Sequence, residues 1–99
     1  MQTNFAAVTS TNKVVATRSS ASRHVGGSGK FGPYTHCLTT TSAVEKLNGD
    51  QISWHGSEKL ALDAKRTWDR QFTADPLVIL PVVVTPKRMA PGQDVEVAQ

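Results

Sequence analysis

The chain has 99 residues, of which 38% are hydrophobic, 6% aromatic and 19% charged. This length fits a single domain, residues 1–99, with one modest hydrophobic core, and the composition excludes a fully disordered chain. The longest apolar run, residues 77–84, is far shorter than the roughly 20 residues that span a bilayer, so no membrane partner is expected. The single cysteine, Cys37, excludes an intrachain disulfide and indicates an intracellular, reducing compartment, which is the cytoplasm or, for a viral protein, a host cell.

The charges are distributed unevenly along the chain. Residues 1–44 contain four basic residues and no Asp or Glu, whereas residues 45–99 contain seven basic and eight acidic residues, so a net +4 precedes a net −1. The sequence therefore predicts a basic, Ser/Gly-rich N-terminal arm over 1–33 with a possible hairpin, followed by a globular core over 34–99. The first 24 residues also have the composition of an organelle transit peptide, and this alternative stays open.

The first half of the chain has mostly β-strand signals. Two β-prone runs, 5–9 and 13–17, flank a polar turn and predict a hairpin. Residues 18–33 are dominated by Ser and Gly, which predicts a flexible loop. Residues 34–41 are rich in β-branched and aromatic side chains and predict a strand.

Helix signals follow. Ser42 and Glu45 match a capping box, which predicts a short helical turn near 43–48. Ser57 has the position of an N-cap for the main helix, predicted over about 57–73. Four residues spaced by four predict the apolar stripe of that helix: Leu60, Ala64, Trp68 and Phe72.

The run 77–84 is the one segment apolar enough to be buried on both faces, and it predicts the strand around which the core forms. Pro81 indicates that part of this strand lies at a sheet edge or a bulge, because proline cannot donate to a ladder. The predicted fold is α+β: a small sheet of about four to six short strands packed against one main amphipathic helix.

No catalytic or cofactor motif meets its requirements. Gly27, Gly29 and Gly32 spell GxGxxG, but neither the strand that should precede this fingerprint nor the helix that should follow it is predicted. Cys37 with His36 or His55 has the residue types of a nucleophile and base, without a visible third group. The His and Cys residues also lack the paired spacing of zinc sites. We therefore expect no enzyme activity, no cofactor and no metal.

The basic N-terminal half is the feature that points to a function. Cations in a Gly/Ser-rich segment can contact phosphates, and neighbouring aromatic rings can stack on unpaired bases. The candidate nucleic-acid-binding residues are Lys13, Arg18, Arg23, Lys30, Phe31, Tyr34, Lys87 and Arg88.

Two hypotheses result. The first is a small non-enzymatic protein, acting as an oligomer, that contacts the nucleic-acid phosphate backbone through the basic arm. The second is a structural or inhibitory interaction subunit, for example of a viral or cellular assembly, whose N-terminal arm orders against neighbouring chains. DNA is not distinguished from RNA by these residues.

Overall fold

The computed structural model describes residues 2–21, 34–71 and 74–95. Within these residues the strands form one curled antiparallel sheet in the order β2-β1-β5-β3-β4. The elements in chain order are β1 (Gln2–Val8), β2 (Val14–Ala21), β3 (His36–Thr40), α1 (Thr41–Lys46), β4 (Ser53–His55), α2 (Glu58–Asp69) and β5 (Leu77–Thr85). The predicted α+β fold, with one main helix packed on a small sheet, is confirmed. No helix among the described residues is long and apolar enough to cross a membrane.

Strand β5 is the centre of the sheet, and its two halves have different neighbours. Residues 77–81 pair with β3, and residues 82–85 pair with β1. The Val82 amide donates to the Thr35 carbonyl at 3.0 Å, on the β3 side, so the backbone nitrogen of Pro81 faces the opposite side. The ladder to β1 ends at Val82, and no donor is needed at Pro81. Proline is tolerated in this central strand because it occupies the point where one ladder ends.

The N-terminal hairpin is part of the core sheet. Strands β1 and β2 pair from Gln2↔Ala21 to Val8↔Val14, with a bulge near Val8. The expected loop from residue 18 is therefore wrong for 18–21, which continue β2, and its remainder lies outside the described residues. These Ser-rich residues have little strand propensity of their own, and backbone pairing with β1 holds them in the sheet. The Ser19 hydroxyl also donates to the Asn4 side-chain oxygen at 2.7 Å.

Helix α1 begins two residues before the expected capping box. The N-cap is Thr40, whose hydroxyl accepts a hydrogen bond from the Ala43 amide at 3.2 Å. The Ser42 amide donates instead to the Asp75 carboxylate at 3.0 Å, and this bond lowers the pKa of Asp75. The helix ends at Lys46, and its C-cap Leu47 adopts the left-handed conformation with φ 49°.

Helix α2 has its expected N-cap but a different buried face. The Ser57 hydroxyl accepts from the Leu60 amide at 3.2 Å, and the helix ends at Asp69. Ala61 is fully buried, whereas Leu60 is 53% exposed, so the predicted stripe is turned away from the sheet at its first residue. Trp68 is half-buried, and Phe72 lies outside the described residues. Ala61 is the α2 residue that is buried, because its small side chain allows the helix to approach the sheet closely.

The two faces of the sheet are covered by different parts of the chain. One face, here called the inner face, carries Phe5, Ala7, Trp54 and Leu80, and α1 packs against it through Ala43. The other face, here called the helix face, is covered by α2 over β3 and by the segment 86–95 over the hairpin.

The curl of the sheet brings its two outer strands together. The Gln51 side-chain amide, just before β4, donates to the Thr17 carbonyl of β2 at 3.4 Å. The Trp54 indole N–H donates in turn to the Gln51 side-chain oxygen. These contacts close the inner face around its aromatic residues.

Candidate nucleic-acid interface

Arg18 and Tyr34 form a contact that joins a cation to an aromatic ring. The Arg18 guanidinium carbon lies 4.8 Å from the centroid of the Tyr34 ring. Arg18 belongs to β2, where pairing with Phe5 fixes its backbone, and Tyr34 lies two residues before β3. Because the sheet is curled, residues 16 positions apart meet on the inner face. A cation over an aromatic ring at this distance gains about 0.5–1 kcal/mol when exposed.

Core residues hold the Tyr34 ring in place. The Phe5 ring packs edge-on against Tyr34, with centroids 5.1 Å apart and an interplanar angle of 76°. The Trp54 ring lies 6.2 Å from Tyr34 on another side. Phe5 is 1% exposed and Trp54 is buried, so the Tyr34 ring packs against two core side chains. The candidate interface is therefore a surface arginine supported by an aromatic cluster.

The side chain of Arg18 keeps its charge available for a ligand. Arg18 is exposed, and no carboxylate among the described residues lies within ion-pair distance of it. A guanidinium without a carboxylate partner keeps its N–H groups available for phosphate oxygens.

The other candidate residues are placed differently. Lys87 and Arg88 are exposed and follow β5 at the end of the sheet where Asn4 pairs with both Ser19 and Thr85. They therefore lie at the same end of the sheet as Arg18. Three further candidates lie outside the described residues: Arg23, Lys30 and Phe31.

Lys13 belongs to a separate region. It lies five residues from Arg18 along the hairpin, roughly 16 Å at strand spacing. Its ammonium is 3.0 Å from the Asp94 carboxylate. This exposed pair is worth about 0–1 kcal/mol, so it orients Lys13 only weakly.

Among the described residues, Cys37 does not form a reactive pair with His36 or His55. Cys37 is buried on the inner face, and burial raises its pKa to about 12. Cys37 pairs with Trp54, whereas its neighbour His36 pairs with His55, so alternation places both imidazoles on the helix face. A thiol and a base on opposite faces of one sheet cannot exchange a proton directly.

His36 and His55 belong to a small polar group on the helix face. The Ser53 hydroxyl and His55 Nε2 are 2.6 Å apart, and the Thr35 hydroxyl and His36 Nδ1 are 2.7 Å apart. Partial burial lowers the pKa of His55, and the nearby His36 lowers it further. No group of three or more potential metal ligands occurs among the described residues.

An open cleft of about 340 Å³ adjoins this polar group. Its walls are mostly apolar, and it lies between α2 and the sheet. The residues that line it are His36, Glu58, Leu62, Ile79 and Pro81.

Sequence reasoning identified Arg18 and Tyr34 but not the residues that support them. Residues 5–8 are all apolar, so the sequence has no alternation that would show which face of the strand Phe5 occupies. The role of Trp54 depends on long-range strand pairing and had no local signal. Comparison of the chain with protein-family models, curated proteins and solved structures finds no match.

Proposed function

We propose that this chain is a non-enzymatic protein that acts as an oligomer and contacts the phosphate backbone of nucleic acid through its basic N-terminal segment. The observation that carries the proposal is the exposed Arg18 guanidinium, supported by Tyr34 and without a carboxylate partner among the described residues. A cation fixed in this way can bind a phosphate with less loss of side-chain entropy than a free one.

The distribution of charge supports the same proposal. Arg18 belongs to an acid-free stretch of 44 residues that also contains Arg23 and Lys30. Lys87 and Arg88 add two exposed cations at the same end of the sheet. Several cations near one another raise affinity for a polyanion mainly through release of condensed counterions. With its single cysteine, such a protein suits a reducing compartment.

The salt dependence of binding tests the proposal. We expect a fluorescent oligonucleotide of random sequence to bind at 50 mM salt and to weaken steeply by 200 mM. Replacing Arg18, Arg23 and Lys30 by Ala should reduce the slope of log K against log[salt] by about 2–3, because each lost phosphate contact removes about 0.7–0.9.

A matched triple variant provides the control. Three exposed basic residues lie on α2 or directly after it, away from Arg18: Lys59, Arg66 and Arg70. Their replacement by Ala removes the same charge. The slope should change little in this variant. An equal change in both variants would indicate general charge attraction and contradict the assignment to the N-terminal segment. No binding at 50 mM salt would refute the function.

The second candidate is a structural or inhibitory interaction subunit. Apolar side chains on the surface favour it, since Leu60, Leu62 and Val84 are 53%, 43% and 61% exposed. Native mass spectrometry tests this candidate, because an assembly subunit should form defined oligomers without nucleic acid. Leu60→Glu should then dissociate them, whereas a monomer at all concentrations would exclude this candidate. The first candidate also acts as an oligomer, so the oligonucleotide-binding assay described above is what distinguishes the two.

A further inference from the structure

The flat surface that Tyr34 offers to a ligand is already occupied by Arg18. The guanidinium carbon lies over the ring, 4.8 Å from its centroid, and the Phe5 and Trp54 rings lie 5.1 and 6.2 Å from it. Because Arg18 is exposed and Tyr34 is half-buried beneath it, a base approaching this site meets the Arg18 guanidinium before the tyrosine ring. Tyr34 acts as the support beneath that face.

A supported guanidinium is suited to stacking on a base. It is planar and weakly hydrated, and bases in single-stranded nucleic acid stack on arginine planes as they do on aromatic rings. No carboxylate among the described residues lies within ion-pair distance of its N–H edges, so they can bind the phosphate next to the stacked base. Lysine carries the same charge but has neither the plane nor the fork of N–H donors, so a comparison of ligands with and without bases is needed to isolate the stacking.

An exposed apolar side chain lies beside this surface. Phe5 pairs with both Arg18 and Val84, so these two side chains flank it on the inner face, two strand spacings or roughly 10 Å apart. Val84 is 61% exposed, although it lies in the central strand of the sheet. A nucleotide next to the stacked one would meet this apolar surface.

We propose that Arg18, supported by Tyr34, is a stacking platform for an unpaired base, and that the protein consequently prefers single-stranded nucleic acid over a duplex. This inference rests on the proposed function and specifies its ligand. In a duplex the faces of internal bases are covered by their neighbours, so only backbone contacts would remain.

Three labelled ligands of equal length test the platform: a single-stranded 12-mer, its duplex, and a single strand carrying abasic positions. We expect the intact single strand to bind about tenfold more tightly than the other two, since one stacked base contributes roughly 5- to 150-fold. Fluorescence anisotropy at constant salt gives the affinities, and circular dichroism confirms that each variant is folded.

The variant Arg18→Lys separates stacking from charge. It should lose about tenfold on the intact strand and little on the abasic strand, because the charge is kept. Arg66→Lys, the same change on the exposed surface of α2, is the matched control and should bind all three ligands as the wild type does. Tyr34→Leu should resemble Arg18→Lys if the ring supports the plane.

The outcomes separate the two proposals. Equal affinity for the three ligands, with Arg18→Lys unchanged, would overturn the stacking platform and leave backbone binding intact. Tighter binding to the duplex would also overturn the platform. Absence of binding to any of the three would overturn the proposed function together with the platform.

Discussion

Replacing Phe5 by Leu tests the support of the candidate interface. Phe5 is 1% exposed, and its ring meets Tyr34 edge-on at a centroid distance of 5.1 Å. A buried Phe→Ala change costs about 3–5 kcal/mol, and Leu retains a branched apolar side chain, so we expect a loss of about 2 kcal/mol. The edge-to-face contact accounts for about 0.5–1.5 kcal/mol of stability beyond buried area.

A double-mutant cycle isolates that contact. Phe5→Leu and Tyr34→Leu each remove the ring contact, whereas the double variant loses the same contact only once. The summed losses of unfolding free energy in the two single variants should therefore exceed the loss in the double variant by about 1 kcal/mol. Urea denaturation followed by far-UV circular dichroism gives each free energy of unfolding, provided that the m-values agree.

A second cycle provides the control. Met89 packs on the other face of the sheet with Ala6 and Val8, so Met89→Leu should be additive with Phe5→Leu. Additivity of the Phe5 and Tyr34 changes within about 0.3 kcal/mol would show that the ring contact contributes nothing, and would refute the reasoning.

Three further predictions concern the thiol, the histidine pair and the cap of α2. Cys37, with its pKa raised to about 12 by burial, should react with a thiol reagent at pH 8 only after unfolding, and rapid reaction of the folded protein would contradict this burial. The pKa of His55 is lower in the folded protein than in the unfolded chain, so the unfolded chain takes up the proton at a higher pH. The free energy of unfolding should therefore fall as the pH drops from about 6.5 through the pKa of His55 in the folded protein. The variant His55→Gln should show a weaker dependence on pH. His36 carries the neighbouring charge that adds to the effect. Ser57→Ala should cost about 1 kcal/mol in urea denaturation, because the Leu60 amide loses its acceptor, and a loss below about 0.3 kcal/mol would argue against the cap.

Local sequence signals identified elements well where a single residue type decides the backbone. Ser57 was identified as the N-cap of the main helix because its hydroxyl satisfies an amide three residues away. The cap of α1 was misplaced, since Thr40 and Ser42 have equivalent chemistry and the choice depends on Asp75, 33 positions from Ser42. Competition between similar caps is settled by tertiary contacts.

Strand extents and helix faces were less accessible to sequence reasoning. Residues 18–21 have loop composition, yet each of them pairs with a residue of β1. The apolar stripe of α2 included Leu60, but the sheet accepts the smaller Ala61 in contact. In both cases a partner distant in sequence determines the result, and propensity is a weak signal beside it.

The sequence by itself determined the α+β class, the central apolar strand and the acid-free N-terminal charge, because hydrophobic pattern and composition are properties of the local chain. It also singled out Arg18 and Tyr34 separately. Only the tertiary structure decided that they touch, since the contact requires the curled sheet to bring β2 to the residues before β3. The same folding places Phe5 beneath the ring, so a basic residue in a Ser-rich segment becomes a supported cation.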